Sequence, residues 1–429
     1  MDTSSRTPLF SRDEWKLLFV LAAIQFANVL DFVLMIPLAP RFMVEFSIAP
    51  GQFSHLVAAY GGAAFVAAIA GAFVLDRVGR RLALNVLLVG FSAGTIACAI
   101  AWDYTSMLVA RILTGAFAGV LGSVVMAVVG DRFTDRRRGT ATGIVMSSFA
   151  VASTAGVPLS LLIADEFGSV SSPFWILGTL AGLLVPVIYS LPAMRDHLRN
   201  VRVAPLTMFA NILTNPRYLT AYLFMMCTIA SGFVVIPFLA AYAEYNVGRP
   251  SRDIKYVYLA AGVLTFFTTN LIGRWSDRFG KKRMFRILAP LALTMALTVT
   301  NLPPVSLGVL IAVFACFMVF MSGRFVPAQA LVISVAAPHE RGGFLSLNSA
   351  VAHLTMALAS TVAGLLVAEG PDRTLIGYER AGYVAAVLAV GSMVLVGILR
   401  PWTAPVAPDT TTTTSNAVHP PGEPAVAAG

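Results

Sequence analysis

The sequence is short of charged residues and of cysteine. Asp, Glu, Lys and Arg make up only 12% of its 429 residues, whereas a soluble domain carries about 25%. Its three cysteines, Cys98, Cys227 and Cys316, are spaced neither as a disulfide framework nor as a metal site. No Walker motif, haem spacing or activated nucleophile is present, which argues against a pump with its own nucleotide-binding domain and against an enzyme. We therefore expect no cofactor and no bound metal.

Apolar runs take the place of the missing charge. Hydrophobic residues make up 57% of the chain, and about 20 apolar residues cross a hydrocarbon core of ~30 Å as a helix. The first run begins near Trp15 and leads into the second with no signal-peptidase site, which indicates a retained first span. The pattern predicts an all-α membrane protein of twelve transmembrane helices in two pseudo-symmetric six-helix bundles. The expected spans are 15–40, 52–75, 82–102, 104–130, 140–164, 172–192, 218–243, 251–275, 284–303, 305–335, 343–369 and 377–400.

The charges that remain are distributed unevenly between the two sides of the membrane. With both termini in the cytoplasm, most of the 30 Lys and Arg residues fall in cytoplasmic connections, as the positive-inside rule requires. The formal charge of +9 therefore reflects topology and not a nucleic-acid partner. We expect a multi-pass protein of the cell (plasma or inner) membrane. Its predicted parts are a cytoplasmic N-terminus (1–14), an N-terminal bundle (15–192), a cytoplasmic linker with an amphipathic surface helix (193–217), a C-terminal bundle (218–400) and a disordered cytoplasmic tail (401–429).

The two halves share an internal repeat. Asp76-Arg-Val-Gly-Arg-Arg81 and Asp277-Arg-Phe-Gly-Lys-Lys282 each join the second and third spans of their half. A second echo pairs Arg138-Gly139 with Arg341-Gly342, at the start of the fifth span of each half. Such repeats are typical of transporters in which two bundles rock about a central site.

The repeated loop resembles the G-x-L-a-D-R-x-G-R-R pattern of the major facilitator superfamily, and the resemblance covers residues 15–400. Ala72 stands where the first copy should have its leading glycine. The resemblance implies a conformational latch, in which the loop aspartate lies near a helix N-terminus across the bundle interface, where the helix dipole favours an anion. Basic residues of the loop would also serve as positive-inside anchors. The implied latch residues are Asp76, Arg77, Gly79, Arg80 and Arg81 in the first copy and Gly273, Asp277, Arg278 and Gly280 in the second.

One carboxylate lies deep in a predicted span. Asp31 is the only acidic residue well inside any span, and Arg111 enters the fourth span at a similar depth. In the superfamily the first and fourth spans line the cavity, so the resemblance implies that the two residues meet. A carboxylate of this kind can exchange protons as the cavity alternates its exposure, and an ionisable residue inside a membrane is by default a functional hypothesis. The alternative is a static ion pair that fixes helix packing.

Further polar residues are candidates for substrate binding. Arg324 lies in a segment, Ser322 to Gln329, that resembles the proton-coupled sugar- and drug-efflux branch of the superfamily. As a cavity residue Arg324 would favour an anionic or polar substrate; as a structural residue it would cap carbonyls freed by Pro327. A histidine in the eleventh span would either titrate or join helices by hydrogen bonds. The candidates are Gln25, Asn28, Arg324, Gln329 and His353.

These features predict a secondary active exporter that exchanges a small organic solute (a drug, sugar or metabolite) for protons. In the fifth span Pro158 is displaced by one residue from the antiporter signature of the superfamily, and Ser160 replaces a glycine. That departure favours the first alternative, a proton symporter or uniporter that imports a metabolite. The second alternative is a non-transporting receptor or scaffold with the same fold. The expected partners are a small-molecule substrate, protons and the lipid bilayer, with the protein a monomer and no nucleic acid bound.

Overall fold

The structure is a computed structural model that describes residues 10–194, 212–337 and 340–402. In the N-terminal half the helices are α1 (Arg12–Leu34), α2 (Ala39–Glu45), α3 (Pro50–Val74), α4 (Arg80–Ala99), α5 (Tyr104–Arg132), α6 (Asp135–Val151), α7 (Val157–Phe167) and α8 (Ser172–Tyr189). In the C-terminal half they are α9 (Pro216–Phe233), α10 (Leu239–Tyr245), α11 (Ser251–Phe279), α12 (Lys281–Thr300), α13 (Leu307–Val335), α14 (Arg341–Leu366) and α15 (Tyr378–Ile398). Most of the predicted linker helix and nearly all of the predicted disordered tail lie outside the described residues.

The chain is helical because a backbone in hydrocarbon must pair its own polar groups. Among the described residues, 11 helices are long and apolar enough to cross a membrane. The predicted fifth span corresponds to α6 and α7, which are joined by a π-helical turn at Ala152–Gly156. The prediction of an all-α protein with about twelve membrane-spanning helices is confirmed.

Two predicted spans are not continuous helices. We expected unbroken spans at 15–40 and 218–243, but α1 ends at Leu34 and α9 ends at Phe233. Each break contains an Ile-Pro pair, Ile36-Pro37 in the first and Ile236-Pro237 in the second. Proline has no N–H to donate and disfavours helical backbone at the preceding residue, so each helix stops and a short one follows. The broken spans are a further repeat between the halves.

The two ends of the bundle are distinct. We call the end that carries the connections at 75–79 and 279–280 the motif end. The opposite end carries a short antiparallel hairpin of β1 (Ala368–Glu369) and β2 (Leu375–Ile376), and we call it the hairpin end. Between the halves, α3 packs along α14, and α11 packs along α7 and the π-helical turn.

Candidate functional site

Asp31 and Arg111 form an ion pair at the centre of the N-terminal half. Arg111 Nη1 lies 3.0 Å from Asp31 Oδ2, and both side chains are fully buried. The same nitrogen approaches the Asp31 carbonyl oxygen at 3.5 Å. Thr95 Oγ1, from α4, donates to Asp31 Oδ1 at 3.1 Å. Three helices thus converge on one carboxylate, and the contact predicted between the first and fourth spans is present.

Two glycines of α5 bring the ring of Tyr60 under this pair. A Cβ atom at Gly115 would lie 2.3 Å from the Tyr60 carbonyl oxygen, and one at Gly119 would lie 2.4 Å from the Ala64 carbonyl oxygen. Small residues at such positions let membrane helices approach closely. As a result Arg111 Cζ lies 4.3 Å from the centroid of the Tyr60 ring, a cation–π distance. The π face contributes to stabilising a guanidinium whose Nε and Nη2 are buried without a hydrogen-bond partner.

Asn28 extends this network and Gln25 does not. Asn28 Nδ2 donates to the Ala118 carbonyl at 3.1 Å, and Asn28 Oδ1 accepts from Tyr60 Oη at 3.3 Å. Gln25 Oε1, one turn away on α1, is buried and has no hydrogen-bond partner. Asn28 is therefore held by hydrogen bonds to α3 and α5, whereas the side-chain acceptor of Gln25 is unused.

Three aromatic rings link the ion pair to the other half. The ring centroids of Tyr60 and Phe32 are 5.4 Å apart, and those of Phe32 and Phe233 are 5.7 Å apart. Phe233 is the last residue of α9, so this aromatic bridge (Tyr60, Phe32 and Phe233) crosses between the halves where α9 breaks. These distances suit tilted ring contacts.

Arg324 is buried in the C-terminal half between α13 and α9. Its Nη2 contacts Ser231 Oγ at 2.7 Å, the Thr228 carbonyl oxygen at 3.2 Å and Met321 Sδ at 2.9 Å. The first two partners belong to α9, so the expected alternative, capping of carbonyls freed by Pro327 in its own helix, is not the arrangement observed. Nε and Nη1 are buried without a partner.

The other two candidates in this half also have unpaired polar atoms. Gln329 Oε1 and His353 Nδ1 are buried with no hydrogen-bond partner. The His353 carbonyl oxygen lies where α14 meets Gly61 of α3, 2.9 Å from the position of a Cβ atom there. Because its Nδ1 is unpaired, His353 does not join helices through that atom.

The first loop motif is anchored inside its own half. Arg80 Nε donates to Asp131 Oδ2 at 2.8 Å, which ties the start of α4 to the end of α5. Arg81 Nη1 donates to the Leu191 carbonyl oxygen at 2.9 Å. The side chain of Asp76 lies outside the described part of the structure, so its contact across the bundle interface stays a prediction.

The second loop motif is more open. Gly280 has a φ of +94°, in the region that favours glycine. Gly79 has a φ of −59°, which any residue can adopt. A Cβ atom at Gly273 would meet no atom within 4 Å. The remaining motif residues are exposed at the motif end: Arg77, Asp277 and Arg278.

The hairpin end holds an ion-pair cluster that the sequence analysis missed. Asp165, near the end of α7, accepts a hydrogen bond from Arg41 of α2. Its other oxygen accepts from Lys255 Nζ, on α11 of the C-terminal half, at 3.1 Å. Nearby, Tyr245 Oη donates to the Pro40 carbonyl oxygen at 3.2 Å, also between the halves. The sequence signal for this cluster was the presence of opposite charges, Asp165 and Lys255, at those ends of the fifth and eighth spans that lie on the same side of the membrane.

Comparisons with known proteins agree on one family. The sequence model that describes the Major Facilitator Superfamily matches residues 21–318 and 221–423 of this chain. The uncharacterized MFS-type transporter YwfA of Bacillus subtilis (strain 168) is 26% identical over 405 residues, 92% of this chain and 95% of that protein. The citrate-proton symporter of Klebsiella pneumoniae is 27% identical over 338 residues, 71% of this chain and 74% of that protein. A bacterial homolog to the human lysosomal transporter Spinster has a similar structure, with a TM-score of 0.71 at 14% identity over 92% of this chain and 100% of that chain.

Proposed function

Because the chain belongs to the major facilitator superfamily, and is thus a secondary transporter and not an enzyme, we propose that it exports a small organic solute in exchange for protons. The proposed location is a bacterial inner membrane, with the motif end and both termini in the cytoplasm. The observation that carries the proposal is the fully buried pair of Asp31 and Arg111. Ionised groups are expensive inside a membrane, and such residues mark proton relays and ion pathways.

The pair suits proton coupling because protonation changes its energy sharply. When Asp31 gains a proton, its attraction to Arg111 is lost and a buried guanidinium is left with the Tyr60 ring and neutral oxygens. Breaking a buried pair by removing one charge costs about 3–5 kcal/mol. A change of this size is large enough to bias a two-state equilibrium by a factor of 100 or more, at about 1.4 kcal/mol per tenfold. Protonation from one side of the membrane would therefore favour a different conformation.

The proposed substrate contacts are the candidate residues with unused polar atoms. Gln25, Arg324, Gln329 and His353 each have at least one buried polar atom without a partner, and Asn28 lies one turn from Gln25 on α1. Ligand sites combine apolar walls with a small number of polar groups that fix orientation. The aromatic bridge supplies an apolar wall between the two sets.

A second candidate function is proton-coupled import. Two observations favour it: the similarity to the citrate-proton symporter of Klebsiella pneumoniae, and the fifth span, in which Pro158 and Ser160 depart from the antiporter signature. The same buried pair would serve a symporter, so the direction of the driving gradient distinguishes the two functions.

The test uses the purified chain in proteoliposomes with an imposed pH gradient of either sign. The wild type should accumulate solute against its gradient, and the sign that drives accumulation identifies antiport or symport. Asp31→Asn should lose this accumulation and retain solute exchange in the absence of a pH gradient. Asp103→Asn is the matched control, because Asp103 is an exposed N-cap of α5 and asparagine caps equally well. Uphill transport by Asp31→Asn at the wild-type level would refute the coupling role.

A further inference from the structure

The two fully buried guanidinium groups of the described chain are compensated very differently. Arg111 has the Asp31 carboxylate, an aromatic face and a backbone carbonyl. Arg324 is 1% exposed, and among the described residues its hydrogen-bond partners are a hydroxyl, a carbonyl and a thioether, all neutral. No described carboxylate forms an ion pair with it. Within the described residues, the C-terminal half thus contains a buried positive charge without a counter-charge.

The neutral contacts use only part of the Arg324 side chain. Its partners all lie on Nη2, and Ser231 Oγ in turn donates to the Thr228 carbonyl at 3.0 Å, so the serine offers the arginine a lone pair. Nε and Nη1, which together carry three N–H donors, have no acceptor. A buried charge with unmade hydrogen bonds is strongly unfavourable. A ligand that supplies the missing anion would explain why Arg324 is kept at this buried position.

The position of Arg324 is suitable for a ligand that must contact both halves. Its partner Ser231 lies two residues before Phe233, where α9 ends and the aromatic bridge crosses to Phe32. Arg324 therefore contacts the last turn of a helix whose end borders the interface between the halves, and its side chain is buried and not on the lipid-facing surface.

We propose that Arg324 binds a carboxylate of the transported solute, so that the substrates are organic anions. This inference rests on the proposed transport function and narrows its substrate class. Guanidinium groups bind carboxylates through several charge-assisted hydrogen bonds at once, and the three free N–H groups of Arg324 can provide them. The aromatic bridge beside the site favours an anion with an apolar or aromatic body.

Binding can be measured without transport. The full chain in lipid nanodiscs is heated with matched probes that differ only in charge: benzoate, benzamide and benzylammonium, then hexanoate, hexanamide and hexylammonium, with citrate added. We expect carboxylates to raise the melting temperature while the amides and amines do not. Arg324→Gln should weaken carboxylate binding at least about tenfold, and Arg324→Lys should restore it only in part because the planar group is lost.

A control arginine and the ligand-free protein separate this role from a structural one. Arg249, at the hairpin end, donates from Nε to the Val305 carbonyl at 2.9 Å, so Arg249→Gln removes an equal charge and should leave carboxylate binding unchanged. Without probes, Arg324→Gln should melt at the same temperature as the wild type or higher, because it removes an uncompensated charge. A lower melting temperature, with unchanged carboxylate binding, would show that Arg324 is a clamp between α13 and α9 and would overturn the proposal.

The remaining outcomes distinguish this inference from the proposed function. If no carboxylate in the panel shifts the melting temperature in an Arg324-dependent way, or if amines bind as well as acids, the substrate class is wrong while proton-coupled transport can still be observed. If carboxylates bind through Arg324 but no solute moves in proteoliposomes under either pH gradient, the binding site stands and the transport proposal fails.

Discussion

Lys255 should hold the hairpin end closed, because it makes the ion pair with Asp165 that crosses between the halves. Arg41 also binds Asp165, but both of those residues belong to the N-terminal half. The pair of Arg41 and Asp165 can therefore persist when the hairpin end opens, whereas the pair of Lys255 and Asp165 must break. We expect Lys255→Gln to shift the conformational equilibrium toward states open at the hairpin end, and Arg41→Gln to shift it much less.

The size of the effect follows from the exposure of the pair. The side chains of Lys255 and Asp165 keep 22% and 27% of their exposure, so water screens the pair in part. Two unit charges at 4 Å attract by ~1 kcal/mol in water and ~4 kcal/mol in surroundings typical of a protein surface, while measured exposed pairs contribute about 0.2–1 kcal/mol. Because Asp165 is shared with Arg41, we expect the pair of Lys255 and Asp165 to stabilise the closed state by ~1 kcal/mol. At an RT of ~0.59 kcal/mol this corresponds to about a fivefold change in the equilibrium constant between open and closed states.

The assay is a distance measurement between spin labels at the hairpin end. Glu45 of α2 and Asp372 of the hairpin are exposed and lie in opposite halves, so cysteines there report separation by double electron–electron resonance. Cys227 and Cys316, the two cysteines that are not buried, are first replaced by serine. Lys255→Gln should raise the ratio of the long-distance to the short-distance population about fivefold. If Arg41→Gln has an equal effect, or if high salt does not reduce the difference, the ion pair is not the gate.

Two further predictions use the same labelled protein. Gly364→Ala should widen the hairpin end, because its Cβ atom would lie 1.7 Å from Ser54 Oγ and 2.7 Å from Ser54 Cβ. The control is Gly308→Ala, whose Cβ atom would enter open space and should leave the label distance unchanged. Equal label distances in the two variants would contradict the packing argument. Phe32→Ala and Phe233→Ala should each alter the equilibrium between states open and closed at the hairpin end. A double-mutant cycle should give a coupling free energy of about 0.5–1.5 kcal/mol between the two rings. Strictly additive effects would show that the ring contact does not contribute to the interaction between the halves.

The sequence predicted the fold well because hydrocarbon leaves the backbone few options. Span length, loop charge and the repeated motif each constrain the same twelve-helix architecture. Even the contact between Asp31 and Arg111 followed from depth, since two deep charges of opposite sign in cavity-lining spans have few other partners. The breaks after α1 and α9 were readable from Pro37 and Pro237, but apolar composition alone gives no reason to divide a span.

Other features depend on helix rotation and tilt, which a single sequence does not determine. Tyr60 was one of many aromatic residues, and its place under Arg111 depends on how closely α5 approaches α3 at Gly115. One of the two alternatives placed the partners of Arg324 among the carbonyls of its own helix, yet it contacts Ser231 and the Thr228 carbonyl on α9, because the facing helix determines what a long side chain reaches. Lys and Arg residues were interpreted through topology alone, and the ion pair of Lys255 with Asp165 was missed because the two residues come from distant segments of the chain.

The proposed proton site and the proposed anion site lie in different halves, so coupling requires a physical link between them. With Asp31 ionised, the N-terminal half has a neutral pair and the C-terminal half has one uncompensated cation, Arg324. A bound carboxylate neutralises that cation, and a proton on Asp31 leaves a second one at Arg111. The fully neutral interior is therefore the one that contains solute and no proton. A proton added to that state leaves Arg111 uncompensated, and departure of the solute then leaves Arg324 uncompensated as well, so exchange of the two requires conformational coupling and not charge balance alone. The aromatic bridge, which runs from beneath Arg111 to the end of α9, is a contiguous packed path along which movement of one site can shift the other.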